Sequence, residues 1–392
     1  MAQTWKDPLK HLSPLSDHPS PSPAISPAAS DAALLFSEAD AKLNKLGSES
    51  HGAYRLLRTF LDCLEPDGKQ TLAADIRFCQ DNRDIVNLAN HLLDAILKPF
   101  KVSGGQAPAP LTTAPSWDVS NTIDAAMTTI EASTRREQQA LRNDCLRRDG
   151  YRCVYSGVWD LASLESEKTP VVPPARATQG YTECAHVLPF ALGSFDDTDA
   201  VQARNKAIIW FALHRYFPAL RGKIDARSIN QRANAITLET GVHRFFGDYR
   251  LAFLPQGAQT YVATYFFKAS MPVPSKTGSP SVQFTSQDHT VPMPDADFLQ
   301  THRIIAQILQ VSGFGLLITT ETEEAECDLD CRVLHPSGCT DVGKMLSRIL
   351  LMTVQTDAER EESQGDGTDD SGLRRRAAGL EKTGDGRPGS WT

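Results

Sequence analysis

Two short β-patterned runs, Thr182 to Phe190 and Ala235 to Leu238, bracket a helix-patterned stretch from Val201 to Phe217. A short helical run, Thr240 to Phe246, follows the second of them directly. This order of strand, helix, strand and short helix restricts the fold more than any other feature. It excludes an all-helical chain and an all-β chain. The remaining patterned sequence is largely helical, so the expected class is α+β.

Around that centre the chain divides by composition. Residues 1–30 are rich in Pro and Ser and read as a disordered arm. Residues 31–100 form a helical region, with apolar positions at helical spacing in Ala33 to Lys45, Ala53 to Leu64 and Asp84 to Leu97. Residues 101–120 read as a linker. The next unit, 121–315, opens with a long helix from Asn121 to Arg148 that ends at the Asp149-Gly150 turn signal. Tyr151 to Val158 reads as a strand stopped by a Gly turn. Tyr249 to Leu254 and Thr260 to Phe267 read as a hairpin across Pro-Gln-Gly-Ala-Gln, and Asp295 to Gln310 as a closing amphipathic helix. Residues 316–355 are a weakly structured extension with a helix expected at 341–355, and 356–392 a disordered tail.

The net charge of -8 argues at first against a nucleic-acid partner. Its distribution weakens that argument, because residues 135–255 hold 17 Lys and Arg against 13 Asp and Glu. A mildly basic centre permits phosphate binding without demanding it. The eight cysteines are scattered, and the opening stretch does not read as a secretory signal. Free thiols and an intracellular location, nuclear or cytoplasmic, are the expectation. No apolar run is long enough to span a bilayer, so no membrane partner is expected.

Metal-assisted phosphodiester cleavage needs a divalent cation for the phosphate and departing oxygen, and a base for the attacking water. A neutral imidazole suits the base, since its ordinary pKa lies near 6.5. A strand carrying the base, a loop, a second strand and a short helix carrying a metal ligand would build such a site. Three segments supply these parts: Glu183-Cys184-Ala185-His186-Val187-Leu188-Pro189-Phe190, Asn234-Ala235-Ile236-Thr237-Leu238 and Val242-His243-Arg244-Phe245-Phe246. Taken singly, each is weak. Asn before a strand is usually a turn residue, and a lone helical His is usually structural.

Together the strings ECAHVLPF, NAITL and VHRFFGDYRLAF resemble the HNH endonuclease family, and in particular HNH domains of fungal proteins. RCVYSG (152–157), WFALHRYFPAL (210–220) and the helix 295–313 with His302 extend the resemblance over roughly 135–313. It implies a ββα-metal core embedded in a mostly helical domain, and a nuclease that uses magnesium or a transition ion. His186 then matches the general base and His243 the helix metal ligand. Asn234 matches the residue that braces the loop without reacting. The implied partner is nucleic acid, with DNA the expected kind. Arg152, Arg232 and Arg244 are candidate phosphate contacts. Arg135, Arg136, Arg142, Arg147 and Arg148, on the long helix, could meet phosphates or form a solvated face.

One position departs from the family. Many HNH enzymes carry a metal ligand immediately before the base, where this chain has Ala185. Glu183 lies two residues earlier on the same strand face and is the candidate replacement. Glu239, four residues before His243, is a second. Without a replacement, the domain would be a catalytically weak or inactive scaffold that binds nucleic acid or protein. His214, among aromatic neighbours, reads as a packing residue. Cys327, Cys331, His335 and Cys339 offer four zinc-type ligands at an uncommon spacing interrupted by Pro336 and Gly338.

Overall fold

The computed structural model describes residues 29–46, 50–101, 136–166, 172–196, 198–266 and 280–318. The Pro/Ser-rich arm up to residue 28, nearly all of the linker and the first half of the expected long helix lie outside the described residues. So do the Cys327–Cys339 cluster, the helix expected at 341–355 and the tail.

Four helices come first: α1 (Ala29–Leu46), α2 (His51–Cys63), α3 (Pro66–Phe78) and α4 (Asn82–Leu92). Each forms because its apolar residues recur at three- and four-residue steps. In α2 these are Ala53, Leu56, Leu57, Phe60 and Leu61, all buried. Asp81 caps α4 by accepting a hydrogen bond from the Asp84 amide at 2.9 Å. The helix then widens into a π turn, Leu93–Leu97, before a last turn at Lys98–Lys101. The sequence pattern passes over α3, whose first turn, Pro66-Asp67-Gly68-Lys69, is polar.

Next come α5 (Arg136–Arg148), α6 (Ala200–Tyr216), α7 (Thr240–Gly247) and α8 (Ala296–Ser312). Among the described residues three small sheets accompany them. β1 (Trp159–Asp160) pairs in parallel with β2 (Gln179–Gly180). β3 (Thr182–His186) pairs antiparallel with β4 (Ala235–Glu239), with His186 opposite Ala235 and Thr182 opposite Glu239. β5 (Leu251–Gly257), β6 (Thr260–Tyr265) and β7 (Ser281–Gln283) form an antiparallel sheet against which α8 packs. The class is α+β.

Three elements differ from expectation. The strand expected over Thr182 to Phe190 ends at His186, and Phe190–Leu192 is a 3-10 turn. Tyr151 to Val158 is not a strand. Gly150 and Tyr151 hold left-handed backbone (φ 68° and 56°), and the Gly157 amide donates back to Cys153 O at 3.1 Å. These turns leave only an isolated bridge between Arg152 and Trp159. The hairpin turn is also tighter than its Pro-Gln-Gly-Ala-Gln sequence suggests. β5 continues through Pro255 and the turn closes between Gly257 and Thr260, past an irregularity in the register.

The N-terminal helices and the later elements share one continuous core. α3 lies so close to α6 that a Cβ on Gly68 would fall 2.0 Å from Tyr216 O, so only glycine fits there. Beside that contact Asp75 of α3 accepts from Arg215 Nε and from the Tyr216 hydroxyl, both at 3.0 Å. This buried, hydrogen-bonded charge pair ties the helical region to α6.

Candidate active site

β3, β4 and α7 follow one another in space as a two-stranded sheet with a helix laid against it. α7 starts at the residue after β4 because Glu239 caps it: its carboxylate accepts from the Gly241 and Val242 amides at 3.0 and 3.1 Å. This engagement corrects the reading of Glu239 as a metal ligand.

Alternation along β3 sorts its side chains onto two faces. Glu183 and Ala185 face α7. Ala185 is fully buried. Glu183 reaches over the sheet edge, where its carboxylate contacts His243 Nδ1 and accepts from Thr240 Oγ1 at 3.3 Å. The carboxylate and imidazole singled out from sequence are thus side by side, with side chains 47% and 32% exposed.

His186 is the last residue of the strand. Its Nε2 is 3.0 Å from Asn230 Oδ1, and its ring lies 5.7 Å from that of Phe190. Burial holds the His186 imidazole below its usual range. The Asn230 hydrogen bond opposes that shift, and the charge of His243 adds to it. His186 is therefore a neutral imidazole at pH 7.

Asn234 is fully buried. Its Oδ1 accepts from the Leu188 amide at 2.9 Å, and its Nδ2 donates to Leu188 O at 3.0 Å and Ile229 O at 2.9 Å. The Val187 amide bonds the Asn234 carbonyl at 2.8 Å. These bonds pin the chain just after His186.

α5 supports the sheet from behind. Arg148 and Asp149 form a fully buried pair, with Nε to Oδ1 at 2.7 Å and Nη2 to Oδ2 at 3.0 Å. The remaining Arg148 donors reach Arg232 O, Pro292 O and Ala235 O, while Asp149 accepts from the Thr237 amide at 2.9 Å. Arg148 is therefore neither a phosphate contact nor part of a solvated face. Arg142 bonds Asp160 and Thr182 O, and Arg147 pairs with Asp144.

The three candidate phosphate contacts are differently engaged. Arg232 is bound to Asp144 through Nε and Nη2, at 2.9 and 2.8 Å. Arg152 stacks over Trp159, 5.5 Å from the ring centre. Arg244, on α7 beside His243, is exposed and has no ion pair among the described residues.

The other histidines and thiols belong to the packing. His214 is buried, with Nε2 2.9 Å from Ile224 O. His302 stacks on Phe246 at 3.9 Å, and burial drives its pKa down to about 3. Cys184 packs against Cys145 and Leu141 of α5. Its hydrogen bond with Cys145, followed by burial, pushes the Cys184 thiol up, so it stays protonated.

Among the described residues no group of three or more His, Cys, Asp and Glu converges to hold a metal ion. Glu183 and His243 are a pair, one oxygen and one nitrogen donor. Such a pair fits a divalent cation that takes its remaining ligands from water and phosphate, as magnesium commonly does. Asn230 and Glu137, which bond in series from His186, belong to the site and carry no sequence signal: Asn230 stands in an ordinary-looking Ser-Ile-Asn-Gln turn.

A model of the family described as HNH endonuclease matches residues 153–254, about a quarter of the chain. That segment is an HNH endonuclease domain, and it spans β3, β4 and α7 together with the loop that Asn234 holds. Comparison with curated proteins and with solved structures finds no match. Domains of this family are nuclease-like, bind nucleic acid and typically use a divalent metal.

Proposed function

We propose that the protein is a metal-dependent endonuclease that hydrolyses phosphodiester bonds, with DNA as substrate, and that β3, β4 and α7 are its ββα-metal unit. The observation that carries this reading is the meeting of Glu183 and His243 on one face of β3, with the neutral imidazole of His186 at the strand end. When bound there, a divalent cation supplies positive charge to the phosphate and to the departing oxygen.

The residues of the chain do the rest. His186 takes a proton from the attacking water. Asn234 keeps the loop beyond it rigid, so that the base stays aimed. Glu183 and His243 hold the cation. Arg244, exposed beside them, is the best placed of the candidate arginines to grip the backbone phosphate; Arg152 and Arg232 would first have to leave Trp159 and Asp144. Such contacts position the strand without reading bases. The five described cysteines are all free, which supports a reducing, intracellular setting.

The buried Ala185 supports a second reading, an HNH scaffold that binds without cutting. Nicking of supercoiled plasmid with Mg²⁺, Mn²⁺ or Ni²⁺ separates the two. The nuclease reading expects nicking that falls about 10²- to 10⁴-fold in His186→Ala, the usual worth of a general base. Nicking that survives that substitution removes His186 from the mechanism. No nicking with any of the cations supports the scaffold.

A further inference from the structure

A histidine can act as a base through either ring nitrogen, and which one is bare depends on what the other is bonded to. Among the described residues His186 has one hydrogen-bond partner, Asn230 Oδ1, 3.0 Å from Nε2. No described group bonds its Nδ1. The Asn230 side chain is nearly buried, at 6% exposed, and its own amide group continues the chain of bonds: Nδ2 donates to Glu137 Oε2 at 3.1 Å.

The direction of this chain follows from donor and acceptor chemistry. An ionised carboxylate only accepts, so Glu137 must face the NH₂ end of the Asn230 amide. The planar amide then presents its oxygen to His186. A carbonyl oxygen also only accepts, so Nε2 must be the nitrogen that carries hydrogen. In the neutral ring Nδ1 is left with the free electron pair.

We infer that Asn230 and Glu137 are positioning residues that fix the tautomer of His186, making Nδ1 the basic nitrogen. The inference rests on the proposed role of His186, but the tautomer itself can be read without substrate, metal or turnover. Neither residue touches the reacting atoms. Glu137 acts from an exposed turn of α5, across the sheet from the cation ligands, and so couples that helix to the chemistry.

The test inverts the relay. Lysine only donates, so Glu137→Lys should turn the Asn230 amide about and present NH₂ to His186, which must then accept on Nε2 and protonate Nδ1. Glu137 is exposed, so the fold tolerates the change. Full-length, chelator-treated protein labelled with ¹⁵N-histidine is examined by long-range ¹H–¹⁵N spectra about two pH units above the ordinary imidazole value. His186 is assigned by the loss of its signals in His186→Gln. The expected wild type carries hydrogen on Nε2, and Glu137→Lys moves the tautomer ratio toward Nδ1–H by about ten-fold, the worth of one hydrogen bond.

In an Asn230→Leu background the same Glu137→Lys change should leave the ratio where it was. Wild type with hydrogen on Nδ1, or a Glu137→Lys ratio equal to wild type, overturns the inference. So does a Glu137→Lys shift that persists without Asn230. If the tautomers behave as expected but the protein cuts nothing, the relay stands and the nuclease reading fails. If it cuts, Glu137→Lys should lower kcat by about the same ten-fold with KM unchanged.

Discussion

Two pairs of a basic side chain and a carboxylate flank the β3–β4 sheet. Beneath it, Arg148 and Asp149 are fully buried and fully bonded: all five guanidinium donors find acceptors, and the carboxylate still takes the Thr237 amide. Above it, His243 and Glu183 are partly exposed, and no described group bonds His243 Nε2. The first pair has no valence left for anything outside the fold. The second has coordination to spare at a surface that water and phosphate can reach. Two pairs of related chemistry on one sheet are separated into scaffold and site by how completely their bonding is satisfied.

The largest effect that would test this contrast is on stability. Arg148→Leu should cost about 3–5 kcal/mol, because Asp149 would be left buried without its partner and three carbonyls would lose their donors. Urea unfolding of the full chain measures it. Glu183→Gln, read in the same way, should stay within about 0.5 kcal/mol of wild type, as exposed substitutions do. Equal losses in the two variants would erase the distinction between the pairs.

How much of this was legible beforehand depends on whether a residue's role is local. His186, Asn234 and His243 stand out in the sequence because each occupies a fixed place relative to a strand or helix start, and Asn234 bonds both backbone groups of Leu188. α1, α2, α4, α6 and α8 were legible from apolar periodicity. By contrast, α3 was hidden by a polar first turn, since Gly68 answers to Tyr216, far along the chain. The same holds for Arg148 and for Glu137. On a helix wheel both are simply charged residues, and only the tertiary fold buries one and bonds the other to Asn230. Tyr151 to Val158 departs from its pattern for a local reason: its apolar residues suit a strand, but left-handed backbone at Gly150, Tyr151 and Gly157 bends it into turns.

A smaller effect sharpens the upper pair. If Glu183 supplies a cation ligand, Glu183→Gln should weaken Mn²⁺ binding by about ten-fold, within the range for loss of a group that supports a metal site. Titration calorimetry on the full chain would measure this. Because Arg148–Asp149 has no free valence, the remaining Mn²⁺ affinity should not depend on it. Unchanged affinity in Glu183→Gln would remove that carboxylate from the site and leave His243 as the lone described ligand.

The smallest effect concerns pH and falls on the residue between the two pairs. His186 works as a base only when neutral, and its pKa in the fold lies below the ordinary value near 6.5, chiefly because burial disfavours the charged ring. The sign follows directly. A depressed pKa keeps the base neutral through the ordinary histidine range, so cleavage should be fully present above pH 6.5 and should fall only as pH drops through the lower value. The acidic limb of kcat/KM, which reports the free enzyme, should therefore bend below 6.5. The Asn230 hydrogen bond favours the charged ring, and its removal in Asn230→Leu should move that limb lower still. A limb at or above 6.5 in the wild type would mean that a different group, outside the partly dry face of β3, controls the rate. A limb that Asn230→Leu leaves in place would separate the rate-controlling base from the histidine bonded to Asn230.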